Sequence, residues 1–172
     1  LRDREGGVDY APAASAAPLM SLERGGAVEP PTAAEHAPAV HRLQLEYGSG
    51  VRATLEVLPK PTHVTIELKA LDGPAPDAVL WGPVSTTIGQ TVGETVGVVR
   101  DDRFAIGVQS LGMKTTAGAR TTDFGSALHA ECRDHTRVVP SGKPGRGDTP
   151  ALAGPDASVV GSKIALFGCP AG

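Results

Sequence analysis

The chain has 172 residues, of which 40% are hydrophobic, and a formal net charge of -3 at pH 7, so it is long enough for one domain with a buried core. This acidic balance argues against a nucleic-acid partner and against a polybasic membrane anchor, because both need clustered basic side chains. No apolar run approaches the roughly 18 residues that a membrane helix needs, and no apolar region of a signal peptide follows the charged residues 1–5.

Turns are expected to outnumber helices, because the sequence contains 22 Gly and 15 Pro but only 3% aromatic residues. Residues 1–40 are rich in alanine and interrupted by prolines, and only residues 18–22 have the composition of a short strand there. We therefore predict a loosely ordered N-terminal segment at residues 1–17 and a single β-sandwich domain at residues 18–172.

Strict alternation of apolar and polar residues begins after His41. It predicts three strands, at residues 43–47, 51–57 and 64–68, with a hairpin turn at residues 48–50 between the first two. Alternation of this kind places one face of each strand on a core and the other in water. Three such strands in succession form a meander.

The second half of the chain also has the patterns of β-strands. Residues 78–81 are continuously apolar, which is typical of a central strand covered on both faces. The segment that follows is rich in Thr and Gly, and a helix over residues 86–96 is disfavoured because Gly89 and Gly93 interrupt it. Further strands are predicted at residues 96–99, 104–108, 126–132, 159–160 and 164–167. A Gly/Pro-rich surface loop is predicted at about residues 136–156. The predicted fold class is all-β, an antiparallel β-sandwich with few or no helices.

The stretch from Trp81 to Val99 carries the candidate binding residues, which are Trp81, Thr86, Thr87 and Glu94. Its many Gly and Thr residues in an apolar frame indicate either close backbone packing or a binding loop. Trp81 closes an apolar strand, so packing in the core or against another domain is favoured over stacking on a ligand.

Two further patterns contain residues that bind metals or form crosslinks. His129, Cys132 and His135 are spaced by three. On a helix this spacing brings the side chains together on one face, as a metal site needs. On a strand it places His129 and Cys132 on opposite faces. No metal site is therefore predicted. Cys132 and Cys169 could form a disulfide in a secreted protein, while two buried thiols are the alternative.

No complete catalytic motif is present: the sequence has no nucleophile elbow, no phosphate-binding loop and no dinucleotide fingerprint. Glu94, Asp101, Asp102 and Asp123 are available as acids, but acids in turns are usually solvated, so no catalytic residue and no cofactor is predicted. The tripeptide at residues 146–148, Arg-Gly-Asp, lies in the predicted surface loop and permits an adhesion role.

Several stretches together resemble the N-terminal β-sandwich region of large secreted bacterial proteins, described as α-galactosidase-like or as glycoside hydrolases. The stretches are residues 81–99, 104–109, 124–128, 132–134 and 160–170, and the resemblance extends over residues 18–170. The implied fold is a sandwich of the supersandwich or galactose-mutarotase-like type. The chain is shorter than this pattern between Gln109 and Phe124 and again after Asp134.

The resemblance implies a non-catalytic domain of a carbohydrate-active enzyme, which precedes a (β/α)-barrel that holds the catalytic carboxylates. The barrel would be its partner in cis, a polysaccharide or oligosaccharide would be bound through the parent enzyme, and the location would be secreted, periplasmic or at the cell surface. Residues 161–170 would lie near the junction with the barrel, and residues 81–99 would be the segment that reaches the substrate cleft. The alternatives are a stand-alone carbohydrate-binding module and a structural or adhesion domain.

Overall fold

Antiparallel strands form nearly all the regular structure in the computed structural model, which describes residues 7–11, 17–136, 154 and 157–170. The only helical element in these ranges is a single 3-10 turn at Pro38–Val40, so the prediction of an all-β fold is confirmed. The strands are β1 (Met20–Arg24), β2 (Ala27–Glu29), β3 (Pro31–Ala37), β4 (Arg42–Tyr47), β5 (Arg52–Pro59), β6 (His63–Asp72), β7 (Ala78–Thr86), β8 (Thr91–Gly93), β9 (Val98–Arg100), β10 (Phe104–Ser110), β11 (Thr115–Thr122), β12 (Gly125–Arg133) and β13 (Lys163–Pro170).

The strands form two sheets that face each other across one core. The small sheet has five strands in the order β11-β12-β7-β1-β2, and the large sheet has eight in the order β3-β4-β5-β6-β13-β10-β9-β8. Along one side, β11 of the small sheet packs against β8, β9 and β10 of the large sheet. The predicted antiparallel sandwich is therefore present, and this side of it is closed.

The predicted meander corresponds to β4, β5 and β6, which pair in succession. Leu45, Ala53, Leu55 and Leu68 all point into the core and are at most 3% exposed, as alternation requires. The turn that joins β4 and β5 contains Gly50 at φ +82, a conformation that glycine adopts without a steric penalty.

The N-terminal part is more ordered than its composition predicts. β1 lies between β7 and β2 in the small sheet, and its side chains Met20 and Leu22 are completely buried. β3 begins at Pro31 on the edge of the large sheet, where a residue without an N–H group costs little. Before residue 40 the sequence indicated a strand only at residues 18–22, so β2 and β3 are additions to that prediction. They form because short strands pair with neighbours in the folded sheets.

Part of the segment predicted to be loosely ordered also packs on the core. Tyr10 is only 4% exposed, and its ring stacks on Phe104 with the ring centroids 5.2 Å apart. Residues 1–6 and 12–16 of that segment lie outside the described residues. Most of the predicted loop at 136–156 does so too, together with its Arg-Gly-Asp tripeptide at 146–148.

Two details of the later strands differ from the sequence prediction. β11 was not predicted, because Thr115–Thr122 contains small residues instead of large apolar ones; it pairs with β12 along its whole length. Residues 159–160 form a turn and not a strand, although Val159 is buried. Small side chains such as that of Ala119 allow β11 to pack closely against the opposite sheet. Close packing of this kind produces no hydrophobic periodicity in the sequence.

A buried polar network fixes the turn at residues 157–162 to the sandwich. The indole N–H of Trp81 donates to Oγ of Ser162 at 2.8 Å, and Ser162 Oγ lies 2.9 Å from the hydroxyl of Thr115. Nζ of Lys114 donates to the carbonyl oxygens of Ser158, at 2.9 Å, and Val160. These bonds satisfy polar groups that would otherwise be costly inside the protein.

Candidate functional site at the Phe124 end

The four candidate residues between Trp81 and Val99 lie in different environments. Trp81 is 1% exposed, so it packs in the core, which is one of the two placements that the sequence favoured, and it leaves no surface for stacking on a ligand. Thr86 is completely buried, and its hydroxyl oxygen accepts a hydrogen bond from the backbone N–H of Ile88 at 3.2 Å. Thr87 is exposed. Of the four, only Thr87 and Glu94 reach the surface.

Glu94 lies in a separate turn, at residues 94–97, on the closed side of the sandwich. Its side chain is exposed, while its backbone carbonyl accepts a hydrogen bond from the N–H of Ala119 in β11 at 2.9 Å. A Cβ on Gly97 in the same turn would lie 3.3 Å from the backbone N of Gly118. Gly97 thus serves the close packing of backbone on backbone, one of the two explanations that the sequence allowed.

The segment at residues 86–90 crosses one end of the sandwich, over the turn that joins β11 to β12. Gly89 and Gly125 meet at the crossing, where a Cβ on Gly89 would lie 3.5 Å from the Cα of Gly125. The segment is anchored below by Ile88, which is 2% exposed, and by the N–H of Thr87, which donates to the carbonyl of Tyr10 at 2.8 Å. The crossing is therefore held in place at Thr87 and Ile88.

Phe124 is the exposed aromatic residue at this crossing, and we call the surface around it the Phe124 end. Its side chain is 78% exposed, and it occupies the β11–β12 turn directly before Gly125. Two exposed residues of the crossing segment, Thr87 and Gln90, lie two positions before and one position after Gly89. The hydroxyl of Thr87 donates to the carbonyl of Tyr10 at 3.4 Å. The Phe124 end thus combines an aromatic ring, a hydroxyl group and an amide group.

Sequence reasoning missed Phe124 as a site residue. The signal available was an aromatic residue between Asp123 and Gly125, a composition typical of a turn, because a large apolar side chain in a turn has no core to enter. Trp81 has the larger ring, and its place at the end of an apolar strand directed attention to the core instead.

The acidic residues considered as catalytic candidates are scattered. Asp101 supports its own turn, because its carboxylate accepts hydrogen bonds from the backbone N–H groups of Arg103 and Phe104, each at 2.8 Å. Asp102 and Asp123 are exposed in two different turns. This arrangement gives no positive support to an acid-base pair among them.

The three residues spaced like metal ligands do not converge. His129 is exposed and Cys132 is 1% exposed, so the prediction that they lie on opposite faces of a strand is confirmed. Within the described part of the chain, no group of three or more His, Cys, Asp or Glu side chains is placed to hold a metal ion. Among the same residues, no helix is long and apolar enough to cross a membrane.

The two cysteines are free thiols in different sheets. Cys132 is buried in β12 of the small sheet, whereas Cys169 is exposed near the end of β13 in the large sheet. The structure therefore contains neither the disulfide nor the pair of buried thiols that the sequence allowed. Burial raises the pKa of the Cys132 thiol, and the hydrogen bonds from Ser162 and Thr115 oppose this only in part.

We expect the two thiols to react at very different rates with a thiol reagent such as Ellman's reagent. Cys169 should react at once in the native protein, and Cys132 only after unfolding, because it is both buried and protonated. In a Cys169→Ser variant the fast phase should disappear while the slow phase remains. If no thiol reacts until a reductant is added to unfolded protein, the two cysteines are paired and this description is wrong.

Comparisons with known proteins do not identify the chain. No family model matches it, and neither a curated protein nor a solved structure matches it.

Proposed function

We propose that this chain is a non-catalytic accessory domain of a carbohydrate-active enzyme, a glycoside hydrolase of the α-galactosidase-like kind. In this proposal the domain packs on a catalytic (β/α)-barrel in cis and contacts it through the Phe124 end. The parent enzyme would be secreted, periplasmic or attached to the cell surface. The observation that carries the proposal is the exposed ring of Phe124 on a rigidly held turn.

The energetics of interfaces support a contact role for Phe124. An aromatic side chain that is 78% exposed can bury a large apolar area in a partner, and aromatic anchors surrounded by polar groups are common in interfaces. The turn itself is held by the glycine crossing, so little conformational entropy is lost when the ring docks. A partner with an apolar pocket would therefore gain affinity from this one residue.

The placement of the acids is consistent with the non-catalytic part of the proposal. Asp101 is engaged by its own turn, and Asp102, Asp123 and Glu94 are exposed at separate positions. Glycoside hydrolysis needs two carboxyl groups that face one sugar ring. The catalytic pair is accordingly assigned to the barrel.

A Phe124→Ala substitution should weaken binding of the domain to its barrel by about tenfold or more, which corresponds to roughly 1.4 kcal/mol. Binding is measured by surface plasmon resonance with the barrel domain immobilised. Met113→Ala is the matched control, because Met113 is 98% exposed but lies at the other end of β11. Equal losses in both variants, or none in either, would overturn the role of Phe124.

A second candidate function, a stand-alone carbohydrate-binding module, is favoured by the groups next to the ring. Phe124 could stack on a sugar face while Thr87 and Gln90 bind its hydroxyl groups. This candidate predicts direct binding of oligosaccharides on a glycan array, with loss of the signal in Phe124→Ala. The accessory-domain proposal predicts no such binding by the isolated domain.

A further inference from the structure

The outer edge of β3 is a free strand edge. β3 runs over Pro31–Ala37 and pairs on one side with β4, while its position at the end of the large sheet leaves the other side open. The opposite edge strand, β8, has three residues and packs beside β11. β11, the eight-residue edge strand of the small sheet, is partly occupied, because its Ala119 N–H donates to the carbonyl of Glu94. β3 is thus the longer of the two edge strands of the large sheet. Unpaired backbone groups on such an edge are a template for a further strand.

A groove lies on the face of the large sheet beside this edge and spans β3, β4 and β5. It has a volume of about 360 Å³ and is lined by Ala33, Ala34, Glu35, Gln44, Leu45, Glu46 and Arg52. Ala33 and Ala34 contribute only small side chains to its lining. The surface beside the edge is therefore concave, whereas larger side chains would fill it.

The charge of the groove is negative. Arg52 Nε lies 3.1 Å from a carboxylate oxygen of Glu46, so these two charges largely offset each other. Glu35 is exposed, and none of the ion pairs among the described residues includes it. A strand added to this edge would therefore meet an uncompensated carboxylate.

The same carboxylate disfavours pairing with a second copy of the chain. The ladder with β4 is regular from Ala33 to Ala37, and it is interrupted between Pro31 and Ala33, where the hydroxyl of Thr32 donates to the carbonyl of Glu46 at 3.2 Å. Two copies that paired antiparallel over these five residues would place Glu35 opposite Glu35. Like charges directly opposite each other destabilise a sheet.

We propose that β3 binds an extended basic peptide, which adds a ninth strand to the large sheet and places a Lys or Arg side chain opposite Glu35. Backbone hydrogen bonds along the edge supply the affinity, and the cross-strand charge pair supplies the selectivity. The peptide residues on either side of the basic one lie opposite Ala34 and His36, and β-branched side chains there favour the strand conformation.

The probe is the capped peptide acetyl-Thr-Thr-Val-Lys-Val-Thr-Thr-amide, and the control peptide has Glu in place of Lys. We expect the Lys peptide to bind about three- to tenfold more tightly, from the usual size of cross-strand charge effects. Binding is followed by ¹⁵N–¹H NMR, in which the largest shifts should fall on the amides of β3 and β4. Every second backbone N–H of the bound peptide would point to β3. Methylation of this set of nitrogens should abolish binding, because it removes the donors to the edge, whereas methylation of the other set should not.

Charge reversal gives the sharpest form of the test. A Glu35→Lys variant should prefer the Glu peptide, whereas Glu94→Lys, an equally exposed change in the turn at residues 94–97, should keep the preference for Lys. Equal affinity for both peptides, or shifts centred away from β3, would overturn the proposal. Light scattering of the free protein gives a further test. A doubled mass that the Glu35→Lys variant no longer shows would also overturn the proposal, because the edge would then be occupied by a second copy.

Discussion

Replacing Trp81 with alanine is expected to lower the free energy of unfolding by about 3–5 kcal/mol, the range found when a buried aromatic side chain is removed. The side chain is 1% exposed and lies on β7, the central strand of the small sheet. Its loss would leave a cavity between the sheets and would also remove the hydrogen bond to Ser162. Urea denaturation followed by circular dichroism measures the effect, since Trp81 is the single tryptophan and its fluorescence is lost in the variant.

Trp81→Phe separates the two contributions. Phenylalanine keeps most of the apolar surface but removes the N–H, so Ser162 loses one partner and keeps Thr115. A loss of about 1–3 kcal/mol is expected for this change, smaller than that for alanine. A Trp81→Ala variant with unchanged stability would show that the residue is not buried in the core, and the ligand-stacking role would then regain support.

A single methyl group at Gly125 is expected to destabilise the protein by about 3 kcal/mol, from backbone strain and overpacking together. Gly125 has φ +138, and a Cβ there would overlap the carbonyl oxygen of Thr86 and lie 2.7 Å from the carbonyl carbon of Thr87. Backbone atoms cannot rotate away as a flexible side chain can. The Gly125→Ala variant should therefore disturb the crossing that holds the Phe124 end.

Gly26→Ala is the matched control for this change. Gly26 also has a positive φ, +81, but no atom lies within 4 Å of the point that a Cβ would occupy there, so only the backbone penalty of about 1–2 kcal/mol applies. Thermal or urea unfolding of the two variants gives the comparison. Similar losses in both would mean that the contact between the crossing segment and the β11–β12 turn is looser than described.

The fold could be predicted where side chains alternate. Leu43, Leu45 and Tyr47 show the period of two that a strand on a core surface imposes, and the paired strands follow directly from it. β3 and β11 could not be found in this way. β3 is an exposed edge with no apolar face, and β11 approaches its neighbours through small side chains, so neither has an apolar alternation to detect.

The candidate site could be predicted only in part. The sequence singled out the stretch that contains Trp81 and Thr87, and the glycines in it do mark close backbone contacts. Which side chains reach the surface depends on how that stretch crosses the β11–β12 turn, about 35 residues further along the chain. Contacts of that separation leave no periodic signal in the local sequence, so the exposure of Phe124 appeared only in the structure.

The most direct test of the proposed function is a calorimetric titration of this chain with the barrel domain encoded by the same gene. The proposal predicts saturable binding in a one-to-one complex. For an interface of standard size, the expected dissociation constant is below about 1 μM, which corresponds to a binding free energy of about 8 kcal/mol or more. It also predicts that the complex loses affinity in Phe124→Ala but not in Met113→Ala. A gene that encodes no barrel, or a barrel that gives no binding, would contradict the proposal.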